Sequence, residues 1–188
     1  NYFLACWQRL CTFESLSSIK STVMKEIFTQ YAAYNVWANT QFADIIRGIT
    51  PSYIDREVVS SFPNIRATIN HIRSAEHIWL CRLNGTPITT WPQYSELETT
   101  NNLADAWLQG SRDILAFVGQ LTDEQFAQEY DYKDMAGNTH TDLLSNIFMH
   151  LFNHSSFHRG QLVTLFRQSG ISSIPRSDYI VYARGLKV

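Results

Sequence analysis

The stretch from Thr141 to Gln168, TDLLSNIFMHLFNHSSFHRGQLVTLFRQ, reads as one long amphipathic helix that stops at Gly170. Its apolar residues recur at gaps of three and four, the spacing that stacks side chains on one helix face. On a wheel at about 100° per residue, Leu143, Leu144, Ile147, Leu151, Leu162 and Leu165 share one arc. His154 and His158 fall in the middle of that arc, where leucine is expected. Gln161 lies to one side, and His150 sits at the same edge or slightly beyond it.

Three further segments show helical periodicity. In the first, Ile27, Tyr31, Tyr34, Ala38, Phe42, Ile45 and Ile49 are in register, with Pro51 beyond the end. The second runs from about Pro63, a good first-turn residue, to Leu83 and closes at Asn84-Gly85. The third carries Leu103, Trp107, Ile114, Val118 and Leu121. Between Phe126 and Thr141, Gly137-Asn138 separates residues able to pair as a short β-hairpin. Beyond Gly170, SSIPRSDYIVYARG reads as a turn and a packed C-terminal segment. The expected fold is all-α, a four-helix bundle with a possible hairpin before the fourth helix. Such bundles commonly build metal sites from side chains on facing helices.

Two stacked imidazoles on an apolar face each need partners for both ring nitrogens, because a buried unsatisfied polar group costs ~1–3 kcal/mol. A divalent ion accepting one nitrogen from each meets that need, and hydrogen bonds to backbone or side chains are the alternative. On the second helix, His71 falls in the inward arc with Ile65, Ile72 and Ala75, whereas His77 falls on the outer face. A bundle brings His71 towards His154 and His158, and three imidazoles with one open position suit a catalytic ion better than a closed structural one. Glu76 lies on the opposite flank of the inward arc, placed either to orient a ligand imidazole or to pair with an arginine such as Arg73. His140, beside the turn, reads as a surface residue. Ser155, Ser156 and Phe157 separate His154 from His158, so the HExxH motif of zincin peptidases is absent.

Composition narrows the function classes. At 188 residues, with 45% hydrophobic and 17% charged residues and a net charge of −2, the chain suits one globular domain. It lacks the basic stripe of a nucleic-acid binder and any apolar run of the ~18 residues that suggest a membrane span. Cys6, Cys11 and Cys81 form no CxxC pair and read as free thiols of a reducing compartment. The opening NYFLACWQRLC lacks a basic n-region and is a poor signal peptide, so a cytoplasmic location is expected. The first methionine is Met24; residues 1–23 are read as an N-terminal extension and 24–188 as the domain.

Three blocks, YAAYNVWANTQF, IRATINHIRSAEHIWLCRLNG and HLFNHSSFHRGQ, resemble the DinB family in content, order and spacing. The likeness covers about Met24 to Gly185. It implies a DinB/YfiT-like four-helix bundle, often a homodimer, that binds a divalent metal through His71, His154 and His158. His150 is outside that usual set and falls on the rim of the pocket. Arg159 and Gly160 belong to the family motif but point away from the metal, Gly160 allowing close helix packing. For Asn35, Trp37 and Asn39, packing and inter-helix hydrogen bonds are expected rather than chemistry.

The resemblance further implies an enzyme whose metal, zinc or nickel foremost, activates water or a low-molecular-weight thiol for hydrolysis or S-transfer on a small substrate. In that scheme His150 is the candidate proton acceptor, and Glu76 and Gln161 support the ligands. The alternative is a metal-binding stress-response or interaction protein without turnover.

Overall fold

The computed structural model describes residues 13–96 and 98–185, with side chains from Val23 onwards. Cys6, Cys11 and the expected N-terminal extension up to Thr12 lie outside the described residues. In chain order the elements are α1 (Phe13–Gly48), α2 (Pro51–Ile54), α3 (Ile65–Leu83), α4 (Thr100–Gln120), α5 (Asp123–Phe126), β1 (Glu129–Lys133), β2 (Thr139–Leu143), α6 (Leu144–Gln168) and α7 (Tyr179–Gly185). The four long helices form the bundle: α1 and α3 each pack against both α4 and α6. No described helix is long and apolar enough to cross a membrane.

Local chemistry sets the helix ends. Asn64 is extended, and its side chain accepts from the Ala67 N–H at 2.8 Å, an N-cap that starts α3 at Ile65. Pro63 therefore precedes the cap instead of opening the helix. Thr99 caps α4 in the same way through the Asn102 N–H. The fourth long helix begins at Leu144, not Thr141, because Thr141, Asp142 and Leu143 pair with Asp131, Tyr130 and Glu129 in the antiparallel hairpin. That use of the backbone leaves Leu143 exposed, where the wheel had placed it inward. In the hairpin turn, Gly137 takes φ 89°, a left-handed conformation open to glycine at little strain. The Asp134 carboxylate ties the turn by accepting from Ala136, Asn138 and His140.

Among the described residues the core falls into two apolar clusters. One gathers Phe42, Ile46, Ile69, Ile72, Trp107 and Phe166; the other gathers Phe28, Trp79, Val118, Phe126, Phe148 and Phe152. On each long helix, the residues of one cluster are separated from those of the other by polar positions that are themselves buried. These are Asn35 and Asn39 on α1, Glu76 on α3, Ser111 on α4, and Ser155 and Arg159 on α6. A polar layer thus crosses the middle of the bundle. Against α1, α7 packs Tyr179 edge-on and Tyr182 tilted on Tyr34, whose hydroxyl donates to the Ser177 carbonyl.

Candidate metal centre

Three imidazoles meet between α3 and α6. His71 Nε2 lies 3.0 Å from His154 Nε2, and His154 Nε2 lies 3.1 Å from His158 Nε2. His154 and His158 come together because they are one helical turn apart. His71 reaches them from α3, which packs directly on α6. His71 and His154 are half-buried, and His158 is buried.

The electrostatics favour neutral rings. Burial lowers the pKa of all three, and at His154 the neighbouring imidazoles add to it, pushing it down to about 3. A neutral imidazole has one nitrogen lone pair to offer a metal, as ligation requires. Hydrogen bonding alone cannot satisfy three converging ring nitrogens, since one proton between two of them leaves the third facing a lone pair. A divalent ion accepts all three. Ligand atoms on a tetrahedral zinc, at ~2.0–2.1 Å each, lie about 3.3 Å apart, close to the separations here. The cluster fits a divalent metal ion.

Gln161 Oε1 lies 2.8 Å from His158 Nδ1. An amide oxygen only accepts, so Nδ1 carries the proton and Nε2 presents its lone pair to the cluster. Gln161 Nε2 in turn donates to Ser61 Oγ at 3.1 Å. His154 Nδ1, by contrast, is buried without a hydrogen-bond partner among the described residues. Gln161→Ala is expected to weaken metal affinity about 10–100-fold, read by competition with a chromophoric chelator. Unchanged affinity would remove Gln161 from the site.

The rings around the cluster are aromatic. The Phe62 ring lies 4.6 Å from that of His71 and 5.6 Å from that of His158, and Trp91 stacks on His71 at 5.8 Å. Phe157 packs against His158 at 5.1 Å while remaining largely exposed. His150 is exposed on the rim, its ring 5.9 Å from His154 and 5.8 Å from Trp79.

A family model described as the DinB family matches residues 21–185. The chain belongs to the DinB family. Protein DinB of Bacillus subtilis (strain 168) is 24% identical over 156 residues, covering 79% of this chain and 89% of that protein. A crystal structure of a DinB-like protein from Bacillus cereus ATCC 10987 shares the fold. Its TM-score is 0.60 at 22% identity, covering 80% of this chain and 95% of that one.

In this DinB chain Arg159, Asn35 and Asn39 build the polar layer and make no hydrogen bond to the histidines. Arg159 Nη1 donates to Asn35 Oδ1 at 2.6 Å and to Asn39 Oδ1 at 2.8 Å. Asn35 Nδ2 donates to Glu76 Oε1 at 2.8 Å, and Asn39 Nδ2 to Ser111 Oγ at 2.8 Å. Ser111 Oγ lies 2.9 Å from Glu76 Oε2. The amide orientations are forced, because a guanidinium only donates and a carboxylate only accepts. Two asparagines therefore relay between a buried cation and a buried carboxyl. Burial pushes the Glu76 carboxyl up to about 7, against the donors from Asn35 and Ser111 and the charge of Arg159.

Glu76 makes no hydrogen bond to a histidine. The side chain in hydrogen-bond contact with His158 is Gln161, whereas the Glu76 carboxyl is engaged by Asn35 and Ser111 in the bundle centre. Arg73 is not its partner either; that guanidinium pairs with Glu98 at 2.8 Å and lies over Tyr94. Gly160 is exposed, and a Cβ there would meet nothing within 4 Å, so close helix packing does not explain it. Asn35 and Asn39 make the inter-helix bonds expected of them, and Trp37 packs on Tyr34 and Tyr182. His77 and His140 are surface residues, near Cys81 Sγ at 3.6 Å and Asp134 at 3.0 Å.

Phe62 and Trp91 carry no signal in the sequence. Both sit in loops, where no periodicity marks a side chain's direction. Ser111 was equally silent, although its place one turn after Trp107 on the inward face of α4 was a usable signal.

Proposed function

We propose that this protein is a divalent-metal-dependent enzyme acting on a small substrate with an apolar portion, by hydrolysis or by transfer of a low-molecular-weight thiol. The observation that carries this reading is the placement of three Nε2 atoms under aromatic side chains half open to solvent. A closed structural site would have four ligands and no such mouth. Zinc and nickel are the expected ions, since imidazole suits both.

A divalent ion there supplies Lewis-acid chemistry, lowering the pKa of water to ~7 in the best-known zinc sites. The chain's own groups do the rest. His71, His154 and His158 bind through Nε2, and Gln161 keeps the His158 proton on Nδ1. Phe62 and Trp91 exclude water and receive the apolar part of the substrate. His150, exposed beside His154, takes the proton released from the nucleophile and returns it to the leaving group.

The test pairs metal-loaded with chelator-treated protein against an activated ester, and against a thiol with an activated aryl chloride. Turnover that follows metal content supports the proposal. Equal rates with and without metal in both reactions overturn it. In the active reaction, His150→Gln is expected to lower kcat about 10²-fold with metal content unchanged. An unaltered kcat would exclude His150 as the proton carrier.

A further inference from the structure

A cavity lies away from the three-histidine cluster, where the end of α3 meets the hairpin. It measures about 270 Å³ and is walled by Pro87, Tyr130 and Tyr132, with Asp131 and Lys133 among its lining and Arg82 in its wall. Arg82 lies eleven residues after His71 on α3, about 16 Å along the helix at 1.5 Å per residue.

Among the described residues Arg82 has no counter-ion. It is 8% exposed, and its guanidinium is held against the Trp79 ring at 4.6 Å and the Tyr132 ring at 5.5 Å. Among the described residues it makes no ion pair, and its buried Nε has no hydrogen-bond partner. Burial lowers its pKa, with Tyr132 and Asp134 opposing. The Asp134 oxygens are already taken by the turn residues and His140, and Asp131 accepts from Thr141 Oγ1. Cation–π contact and the carbonyl end of α3 steady the charge, but neither gives the buried Nε a hydrogen-bond acceptor. Arginine is ordinarily buried only with a partner.

The partner these features suit is a carboxylate. A guanidinium presents paired N–H groups in a plane that matches two carboxylate oxygens. The proline and tyrosine walls suit an apolar or aromatic body behind that group. We propose that this cavity is a binding site for a small carboxylate with an apolar or aromatic body, held by Arg82 and independent of the metal centre.

Benzoate serves as the probe, with benzyl alcohol as its neutral counterpart, both titrated by calorimetry into the full chain. Benzoate is expected to saturate one site, and benzyl alcohol to bind at least about tenfold more weakly, the worth of a charged hydrogen bond. Arg82→Gln should weaken benzoate by at least about tenfold, its folding checked by circular dichroism. If Arg82→Gln does not fold, Arg82→Lys keeps the charge without the planar fork, and the same loss is expected. His154→Ala should bind benzoate within about twofold of the parent, as distant sites act independently. Absence of saturable binding, equal binding of the alcohol, or undiminished binding by a folded Arg82 variant would each overturn the proposal. So would loss of benzoate binding in His154→Ala, which would place the probe at the histidines.

Discussion

Arg159→Ala is expected to lower folding stability by about 3–5 kcal/mol, the scale for breaking a buried charge arrangement by removing one member. Arg159 is 2% exposed and satisfies Asn35 and Asn39 at once. Alanine leaves both amide oxygens unpartnered and the Glu76 carboxyl facing no cation. Chemical denaturation of the parent and the variant measures the loss. A change below about 1 kcal/mol, the ordinary effect of a point substitution, would mean that the polar layer is not holding the helices together. A double-mutant cycle with Glu76→Gln isolates the coupling. The neutral amide should make Arg159→Ala less damaging than it is beside a carboxyl.

The same layer predicts a pH dependence. The folded pKa of Glu76, about 7, is raised above its unfolded value. Protonation therefore favours the folded state. The contribution is fully present below the ordinary glutamate pKa and is lost as pH rises through about 7. Glu76→Gln should flatten that part of the stability profile.

His154→Ala is expected to abolish stoichiometric metal binding while leaving the metal-free fold within about 1 kcal/mol of the parent. His154 Nε2 lies within 3.1 Å of both other ring nitrogens, so its loss leaves two imidazoles without their shared neighbour. The ring also carries a buried Nδ1 with no partner, so removing it from the metal-free protein sacrifices no hydrogen bond at that atom. With metal present the two proteins should diverge. An ion that binds only the folded state adds about 2.7 kcal/mol at one hundred times its Kd, a gain the variant cannot make. Thermal melts with chelator and with added zinc give the comparison. A melting temperature that rises equally in both proteins on adding zinc would place the ion elsewhere.

The long helices were legible because their apolar residues repeat at helical spacing, and His71, His154 and His158 because each interrupts that repeat on an inward face. The polar layer was harder to see. Glu76 stood out as an inward carboxyl, but its partners lie on other helices, 35 positions away at Ser111 and 41 at Asn35. Only packing brings those positions together. Arg159 points away from the histidines, as its place on the wheel indicates, and that direction is the bundle centre, where it meets Asn35 and Asn39. The strands were marked by Gly137-Asn138 alone, so the start of α6 was set too early by the three residues the hairpin takes. Arg82 carried no signal, because an arginine in the last turn of a helix is ordinarily a solvated partner of its carbonyl end.

A metal ion held by His71, His154 and His158 would bridge α3 and α6. Elemental mass spectrometry reads this out on parent and His71→Ala protein, purified without an immobilised-metal column and then incubated with zinc, nickel or iron. Close to one metal per chain is expected in the parent and little in the variant, because His71 is the imidazole that α3 brings to the cluster. A parent that takes up none of the three ions, or a His71→Ala variant that keeps a full complement, would contradict it.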